Sequence, residues 1–453
     1  MRKKQSKLII FLFLIASAVF FVFMVLNSKS FEQNPPRINI NDVIYTNLNN
    51  EIKLNISDDS GIKNISIEYS VNDDSQIHSL INTNIANHDT SLDISFKLPK
   101  PAFKQKVDYY ILHIKAKDIS YWNFGNETSK TVKVYIDTKK PIVNVISNSY
   151  SIEQGGAASV VFYANDENLD NLYIQTNDGR KFEVVPFYKD NFYASIVAWD
   201  IKNKNFRAEV VATDKAGNIT KEYIRYYLKS RNYKTSSITL KDDFLNTKIR
   251  DLYESNSEKE IVGDLNIFKY VNETLRDDNE KIIHKMTSRI SDDKIVDFQI
   301  APFLPLKNAE KVADFGDHRF YYQNNVLKSE SYHMGLDLAS VAMAPIISSN
   351  NGAVVFAEEN GIYGLNVLID HGFGLYSLYG HCSEKNVHVG DDVKPKSQIA
   401  RTGKTGLALG DHLHFGILVQ GVEVRPEEWM DRGWIKDNIT DILKKAKEII
   451  DKQ

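Results

Sequence analysis

The sequence contains a single cysteine, Cys382, among 453 residues. One thiol cannot form a disulfide within the chain, so no disulfide framework stabilises this fold. The same scarcity excludes the cysteine-rich sites that hold structural zinc. Any bound metal ion must therefore be held by histidine, aspartate or glutamate side chains.

The chain also lacks an excess of charge of either sign. It has 56 basic and 59 acidic residues, and its net charge is −3. Proteins that bind nucleic acid usually show a basic surplus, so we expect no nucleic acid among the partners. The hydrophobic content of 42% and the charged content of 25% are ordinary for a folded protein. At about 100–200 residues per domain, the length corresponds to roughly three domains.

One long apolar run is present at residues 8–26, directly after a basic N-terminus. About 19 helical residues at about 1.5 Å each span roughly 28 Å, which is close to the thickness of one bilayer core. By the positive-inside rule, the basic residues before the run place Met1 in the cytoplasm and the rest of the chain outside.

A cleaved signal peptide is the alternative to an anchor. Its cleavage motif would be Ala16-Ser17-Ala18, but these residues lie inside the run, which also exceeds the usual signal core of about 7–15 residues. We therefore expect residues 1–30 to form a basic cytoplasmic tip and a single-pass transmembrane helix in the inner (cytoplasmic) membrane. The C-terminal domains would then lie in the periplasm or otherwise outside the cytoplasmic membrane.

Residues 37–231 have the alternating pattern of β-strands. Apolar and polar residues alternate at 52–56 and at 65–69, and turns rich in Asp, Asn, Ser and Gly separate such runs. The predicted fold class is therefore mainly β over this part of the chain.

The same region contains an internal repeat. Residues 54–59 (LNISDD) resemble residues 162–167 (FYANDE), and the spacing of about 95–110 residues is the size of an immunoglobulin-like sandwich. We predict two immunoglobulin-like β-sandwiches, at 37–138 and 139–231. The Asp-rich turns could bind calcium, but Asp and Asn favour turns for backbone reasons alone, and we expect that simpler role.

Residues 232–300 change to helical spacing. The apolar positions are Phe244, Leu245, Ile249 and Leu252, then Phe268, Val271 and Leu275, and Asp242 and Asp264 are suited to helix starts. We predict a small helical connector, with the hypothesis that it covers an active site. Glycine-rich β structure follows at 301–435, and a helix at 436–453 closes the chain.

The first chemically suggestive segment is His333 to Asp337. On a strand, His333, Gly335 and Asp337 would face one side while Met334 and Leu336 face the core. The polar side then holds two metal ligands, with a glycine between them that leaves room for an ion.

The second segment is His412-Leu413-His414, where both histidines would share a face. They need not both bind a metal, since one ligand and one proton carrier fit the pattern equally well. Zinc in hydrolases takes three protein ligands of N and O type and leaves a position for water. His333, Asp337 and His414 supply such a set, and His412 would handle protons or stabilise an oxyanion.

These segments together resemble the M23 family of zinc metallopeptidases, of the lysostaphin and LytM type. The family pattern is H-x-x-x-D, then Y-x-H, then H-x-H-F, within one glycine-rich β domain. Here the corresponding residues are His333 to Asp337, Tyr379 to His381, and His412 to Phe415. The resemblance covers about residues 300–435, and the helical H-E-x-x-H motif of other zinc peptidases is absent.

The resemblance implies that His333, Asp337 and His414 bind one Zn²⁺ ion. It implies that His381 and His412 activate the water and stabilise the tetrahedral intermediate. The implied fold is an antiparallel sheet with a groove for an extended peptide, and the implied substrates are peptidoglycan peptides. Some relatives have lost these residues and regulate amidases, whereas all five positions are intact here.

The remaining candidates receive structural roles. Cys382 follows His381, but adjacent strand residues point to opposite faces, which argues against a Cys–His nucleophile. We expect His371 to be structural and His388 to be solvated, and we assign no role to His318, near the start of the domain.

The resulting prediction is a membrane-anchored zinc endopeptidase that cuts peptide cross-links or stem peptides of peptidoglycan. The alternatives are a catalytically silent adaptor that activates a cell-wall amidase, a wall-binding scaffold, and an enzyme inhibited by its own connector or by one of its sandwiches. Other cell-wall enzymes are expected as partners. The sequence leaves open the oligomeric state, the division of labour between His381 and His412, and the bond cut. That bond is D-Ala to a diamino acid, a glycine bridge, or an L-Ala link.

Overall fold

The computed structural model describes residues 2–72 and 74–452. The chain divides into two compact units. The first comprises Met1–Pro141, Glu167–Asp170 and Thr213–Ile219, and the second comprises Ile142–Asp166, Asn171–Ala212 and Thr220–Gln453. The domain boundaries that we predict from the sequence stay a prediction.

Helix α1 (Arg2–Leu26) contains the apolar run. Its segment Ile9–Leu26 is long and apolar enough to cross a membrane, and none of it is buried inside the protein. The helix is therefore compatible with a single-pass anchor, although a signal sequence meets the same criteria. A short 3₁₀ turn, Lys29–Phe31, follows it.

The first unit contains eight strands in two sheets. They are β1 (Arg37–Asn39), β2 (Val43–Thr46), β3 (Ile52–Ser57), β4 (Ile62–Val71), β5 (His78–Asn84), β6 (Ser91–Phe96), β7 (Tyr109–Asp118) and β8 (Glu127–Ile136). The sheet orders are β1-β3-β6 and β2-β8-β7-β4-β5. Strand β3 alternates between buried and less buried residues, as its sequence pattern predicts. Its buried residues face a core that includes Ile56, Ile67 and Leu112.

Ten further strands lie between residues 142 and 229. They are β9 (Ile142–Asn148), β10 (Ser151–Glu153), β11 (Ala157–Asn165), β12 (Leu169–Thr176), β13 (Lys181–Phe182), β14 (Val185–Pro186), β15 (Phe192–Ala198), β16 (Ala208–Asp214), β17 (Ile219–Tyr223) and β18 (Tyr227–Lys229). They form sheets β14-β15-β11-β9, β13-β12-β16-β17 and β10-β18. The prediction of a mainly β chain is confirmed, whereas the immunoglobulin-like assignment stays a prediction.

An Asp–Asn pair closes the turn that follows each of two strands, β7 and β16. Asp118 accepts hydrogen bonds from the backbone N–H and the side-chain amide of Asn126, both at 2.7 Å. Asp214 accepts the same two bonds from Asn218, both at 2.8 Å. In both places the carboxylate holds a turn through nearby amide groups, which is the backbone role of Asp.

The segment 232–300 contains one strand and two helical runs. The strand is β19 (Thr235–Thr239); the helices are α2 (Asp242–Phe244), α3 (Arg250–Asn256), α4 (Asp264–Lys269) and α5 (Arg276–Thr287), with π-helical turns at Leu245–Ile249 and Tyr270–Leu275. The two helical runs begin at Asp242 and Asp264, where the sequence predicts helix starts.

The C-terminal region holds thirteen strands. They are β20 (Glu310–Ala313), β21 (Asp317–Gln323), β22 (Val326–His333), β23 (Leu336–Ala339), β24 (Pro345–Ile347), β25 (Gly352–Glu359), β26 (Leu365–Asp370), β27 (Leu375–Cys382), β28 (Glu384–Lys385), β29 (Asp392–Val393), β30 (Gln398–Arg401), β31 (Leu413–Val419) and β32 (Val422–Val424). The main sheet has the order β20-β23-β31-β27-β26-β25-β29, and β32 pairs with β31. Two smaller sheets are β19-β21-β22 and β24-β30-β28.

Short helical segments complete the C-terminal region. They are the 3₁₀ turn Gly361–Tyr363, then α6 (Pro426–Met430), α7 (Arg432–Ile435), the π-helical turn Lys436–Thr440 and α8 (Asp441–Ile450).

The helices of segment 232–300 pack against the C-terminal sheet. Ile249, Phe268 and Ile283 share one buried cluster with Leu368 of β26 and Leu378 of β27. Burial of apolar surface stabilises such packing by about 25 cal/mol per Å². The segment is therefore part of the hydrophobic core of the C-terminal region and is not a flexible linker to it.

Candidate active site

Three predicted ligands meet where two sheets adjoin. His333 ends β22, Asp337 lies in β23, and His414 lies in β31 directly opposite Asp337 in the antiparallel register. The His333 Nε2 atom is 2.9 Å from Asp337 Oδ1 and 3.1 Å from His414 Nδ1. The His414 Nδ1 atom is 3.1 Å from the same Asp337 oxygen. All three residues are buried.

The segment from His333 to Asp337 is not one continuous strand, so that part of the sequence interpretation is wrong. Strand β22 ends at His333 and β23 begins at Leu336 in a different sheet. Gly335 fills the break, where an added Cβ would lie 2.5 Å from His414 Nε2. The close approach of this backbone to the His414 ring explains the glycine and still brings His333 and Asp337 together.

Hydrogen bonding fixes the proton on the His333 ring. The Nδ1–H group donates to the Asp314 carbonyl at 2.8 Å, because a carbonyl oxygen can only accept. When only Nδ1 carries a proton, Nε2 has a lone pair that faces the Asp337 carboxylate. Two such acceptors in contact are suited to hold a cation between them.

The donor set fits zinc. Two imidazole nitrogens and one carboxylate oxygen are zinc ligands in hydrolases, and zinc–ligand distances of about 2.0–2.2 Å place tetrahedral ligand atoms about 3.3–3.5 Å apart. The three separations of 2.9, 3.1 and 3.1 Å come close to this spacing. The three residues thus form a compact His-Asp-His cluster with the chemistry of a metal site.

His381 lies beside this cluster at the end of β27. Its neighbour Gly380 pairs with His414 in the sheet register, and the His381 and His414 ring centroids are 5.7 Å apart. The His381 Nδ1–H donates to the Thr405 carbonyl at 2.8 Å, which leaves Nε2 as an acceptor. Its backbone has a φ of +61°, in the left-handed region, and such strain is concentrated at functional sites.

His412 is the fourth histidine of the group and lies just before β31. Its Nδ1–H donates to the Gly410 carbonyl at 2.9 Å, and its Nε2 is 3.6 Å from Asp337 Oδ1. The ring centroids of His381 and His412 are 4.8 Å apart. Both rings are therefore anchored through Nδ1 to the backbone, and both keep Nε2 for proton transfer.

The site favours neutral imidazoles at His414 and His381 and an ionised carboxylate at Asp337. Burial lowers the pKa of His414 to about 4 and the pKa of His381 well below its usual value. Burial also acts on His412, but the Asp337 carboxylate outweighs it and raises the His412 pKa. Burial alone would raise the pKa of Asp337, but the adjacent imidazoles of His333, His412 and His414 outweigh it, so the Asp337 pKa is lowered. Neutral imidazoles and an ionised carboxylate are the protonation states that metal binding requires.

The cluster opens into a groove of about 610 Å³. Segment 232–300 contributes Lys234, Ser236, Ile238 and Arg276 to its lining, so this segment forms part of the groove wall. Sequence reasoning missed these residues. Strand β19 pairs in parallel with β21, and a pairing between strands so far apart in the chain leaves no local signal.

Three other candidates have the structural roles expected of them. His371 is held between the Asn351 carbonyl at 2.6 Å and the Ser377 hydroxyl at 2.7 Å. His388 is exposed, and Cys382 is buried, with burial raising the pKa of its thiol to about 12. A buried, protonated thiol does not act as a nucleophile.

Known proteins match the C-terminal region. Residues 331–426 match the family model described as Peptidase family M23. The "DD-carboxypeptidase/endopeptidase Mpg" of Neisseria meningitidis is 32% identical over 106 residues, which is 23% of this chain and 24% of that protein. The "Murein hydrolase activator EnvC" of Escherichia coli is 32% identical over 115 residues, 25% of this chain and 27% of that protein.

Among solved structures, the catalytic domain of the antimicrobial peptidase lysostaphin from Staphylococcus simulans is 26% identical. The match covers 27% of this chain and 92% of that domain, with a TM-score of 0.24. The two curated relatives are matched over only about a quarter of their lengths. What these findings identify is the C-terminal region: the chain contains a Peptidase family M23 domain.

Proposed function

We propose that the protein is a zinc-dependent endopeptidase that hydrolyses peptide cross-links or stem peptides of bacterial peptidoglycan. One observation carries this proposal: a His-Asp-His cluster lies beside two further imidazoles, each anchored through Nδ1 to a backbone carbonyl. A buried metal site without proton carriers would suit a structural role, whereas this arrangement suits hydrolysis.

In this proposal His333, Asp337 and His414 hold one Zn²⁺ ion. Bound zinc supplies a Lewis acid that lowers the pKa of water and polarises a carbonyl group. His381 and His412 together carry out proton transfer and oxyanion stabilisation through their Nε2 atoms. One accepts a proton from the attacking water and delivers it to the leaving amine nitrogen, while the other donates to the oxyanion.

The remaining regions would deliver this chemistry to the cell wall. We propose that α1 is a single-pass anchor in the inner membrane, with all later residues in the periplasm or outside the cytoplasmic membrane. The regions 37–138 and 139–231 would be immunoglobulin-like spacers before the connector (232–300), the peptidase domain (301–435) and the closing helix (436–453). Other cell-wall enzymes would be partners.

Similarity to EnvC favours one second candidate, an activator of another murein hydrolase. This candidate predicts that the groove serves as a docking surface and that turnover is absent. The five intact residues of the site favour the enzyme, because a docking surface has no need of two imidazoles with free Nε2 atoms beside a metal cluster.

The test is a digest of purified sacculi by the full-length chain in detergent. Three samples are compared: the zinc-loaded wild type, the wild type with a chelator, and His414→Ala. Products are identified by mass spectrometry. Loss of cross-linked muropeptides that depends on both zinc and His414 is the expected result.

The matched control is His388→Ala, which removes an exposed histidine outside the groove and should digest sacculi like the wild type. Unchanged sacculi in every sample would contradict the proposed enzyme. Stimulation of an added amidase by both wild type and His414→Ala would then support the activator.

A further inference from the structure

One wall of the groove is cationic. Lys234, Arg276 and Arg319 all line it, together with the metal cluster and the two anchored histidines. Two of these cations come from segment 232–300, outside the residues that match the peptidase family. The proposed hydrolysis does not itself require these charges.

Strand pairing places Arg319 near the metal cluster. In the β21–β22 register, Asp317 is directly opposite His333 and Arg319 is opposite Ser331. Residues two apart on a strand share a face, so Arg319 follows Asp317 on the side of the sheet that carries His333. The arginine is therefore two residues, roughly 7 Å, farther along the strand than Asp317.

The guanidinium of Arg319 is held through its Nε atom, which leaves its two Nη groups available to a ligand. Its Nε donates to Asp317 Oδ2 at 3.2 Å, and the other oxygen of Asp317 accepts from the Ser236 hydroxyl at 2.7 Å. Within the described part of the chain, the Nη atoms of Arg319 have no hydrogen-bond partner. A fixed guanidinium with two free N–H groups is suited to bind a carboxylate in bidentate fashion.

Lys234 and Arg276 line the same groove as Arg319. Lys234 precedes β19, and its carbonyl accepts from the His318 N–H at 2.9 Å, so its backbone is fixed beside β21. Arg276 donates to Asn272 through Nε and Nη2. Over residues 2–72 and 74–452, neither cation forms an ion pair.

The acidic residues of the groove, in contrast, are all engaged. Asp317 is bound to Arg319 and Ser236, and Asp337 belongs to the metal cluster. Asp411 accepts from the Thr402 hydroxyl at 2.6 Å and from a backbone N–H at 3.1 Å. The charged side chains that the groove offers to a ligand are thus cations, because its carboxylates are already engaged in other contacts.

We propose that this wall selects peptides with a free carboxylate next to the scissile bond, and that Arg319 is the principal contact, with Lys234 and Arg276 in support. The inference rests on the proposed peptidase function and deepens it. It favours the bond between D-Ala and a diamino acid with a free carboxylate, such as diaminopimelate. Apolar surface from Leu407, Ala408 and Leu409 in the same groove suits the alanine methyl group.

A glycine bridge has no side-chain carboxylate, and amidation removes the charge from a diamino acid. These two substrates would leave the cations of the wall solvated and unpaired. A charged hydrogen bond is stronger than a neutral one, so we expect about tenfold or greater discrimination.

The test uses two cross-linked dimuropeptides that differ only in whether the diaminopimelate carboxylate next to the scissile bond is free or amidated. Binding to the full-length chain in detergent is measured with the metal chelated, so that no turnover occurs. Hydrolysis of the same pair is then measured with zinc. We expect about tenfold tighter binding of the free carboxylate, and a preference that weakens as salt is added.

The variants are Arg319→Gln and Lys234→Gln, with Lys394→Gln as the control. Arg319→Gln should remove most of the preference by weakening binding of the free acid alone. Lys234 is exposed, so Lys234→Gln reports on charge even if Arg319→Gln fails to fold, and it should reduce the preference severalfold. Lys394 is exposed outside the groove, and its loss should change nothing.

Equal binding of the two peptides, or equal weakening of both by Lys234→Gln, would overturn the proposed carboxylate selection. Tighter binding of glycine-bridged peptide would overturn it as well. Failure of the proposed function looks different: the free acid would still be preferred in the binding measurement, but neither peptide would be hydrolysed with zinc.

Discussion

Two clusters of three potential metal ligands differ in what their donor atoms contact. Their members are Glu32, Asp58 and Asp118 in the first unit, and His333, Asp337 and His414 in the second. In each cluster the donor atoms lie within 4.8 Å of one another. Proximity alone therefore does not separate a metal site from a cluster of another kind.

The two aspartates of the first cluster already serve the local backbone. Asp58 Oδ1 accepts from the Ser60 N–H at 2.9 Å, and Asp118 Oδ1 accepts from the N–H groups of Ser120 and Asn126 at 3.0 and 2.7 Å. These bonds hold turns in place, so the two aspartates explain their own positions without any ligand. Glu32 differs, because its Oε2 atom is buried without a hydrogen-bond partner in the described part of the chain.

Among the described residues, no backbone N–H group donates to the Asp337 carboxylate of the second cluster. The His333 Nδ1–H bond to the Asp314 carbonyl leaves lone pairs of His333 and a carboxylate facing each other. The comparison teaches that the partners of the donor atoms, rather than their distances, distinguish the two clusters. A cluster that opposes acceptor to acceptor is suited to bind a cation.

The largest expected effect comes from removing one member of each cluster. In His414→Ala, zinc affinity should fall by well over 100-fold, beyond the 10–100-fold loss caused by changing an outer partner of a ligand, and turnover should vanish. Metal content by mass spectrometry and the sacculus digest measure both.

Asp118→Ala is the matched change in the first cluster. It should leave zinc content and turnover intact but lower the free energy of unfolding of the first unit by about 2–4 kcal/mol, because buried N–H groups lose a charged acceptor. Loss of zinc in Asp118→Ala, or its retention in His414→Ala, would break the distinction between the clusters.

The next effect separates ligands from anchored histidines. His381→Ala and His412→Ala should keep bound zinc while hydrolysis slows by about 10²–10⁴-fold, the usual contribution of a general acid or base. Metal content and the rate of muropeptide cleavage are measured on the same samples. A zinc-free His412→Ala protein would mean that this imidazole is itself a ligand.

A smaller effect is expected from Gly335→Ala. Its Cβ would lie 2.5 Å from His414 Nε2 and 2.8 Å from the Phe415 carbonyl, so the His414 ring must shift. We expect weaker zinc binding and a loss of about 1–3 kcal/mol of stability. Gly416→Ala is the control in the same strand as His414, since its Cβ would meet Leu378 at a milder 3.3 Å. Zinc binding that weakens equally in both variants would show that a general defect of the strand is responsible.

The sequence was sufficient to predict the members of the cluster but not their surroundings. His333, Asp337 and His414 stand in spaced motifs whose chemistry is local, so the pattern predicts them. The break at Gly335 and the positive φ of His381 depend on contacts with strands far along the chain. The same holds for Lys234, which reaches the groove through a parallel pairing of β19 with β21. Local periodicity predicts a strand or a helix, but it does not state which partner the element pairs with.

The smallest expected effect concerns a histidine–carboxylate contact that needs only a proton. His284 Nε2 lies 2.7 Å from Glu423 Oε1 and joins α5 to β32. Burial of His284 is outweighed by the charge and hydrogen bond of Glu423, so the His284 pKa is raised above its usual value. Glu280 also raises this pKa, and Arg180 lowers it. This imidazole can therefore be protonated and donate to its carboxylate.

A raised histidine pKa favours the folded state below the unfolded value of about 6.5, and this contribution disappears as the pH rises through the folded pKa. We expect thermal unfolding of the wild type to lose a contribution below about 1 kcal/mol across that range, because more than a third of the imidazole is exposed and solvent screens the pair. His284→Gln should unfold with a flatter pH dependence and with its zinc content unchanged. Loss of zinc in His284→Gln would show that this contact also supports the metal cluster. An unchanged pH dependence of unfolding would show that the His284–Glu423 contact is not a simple proton-bridged pair.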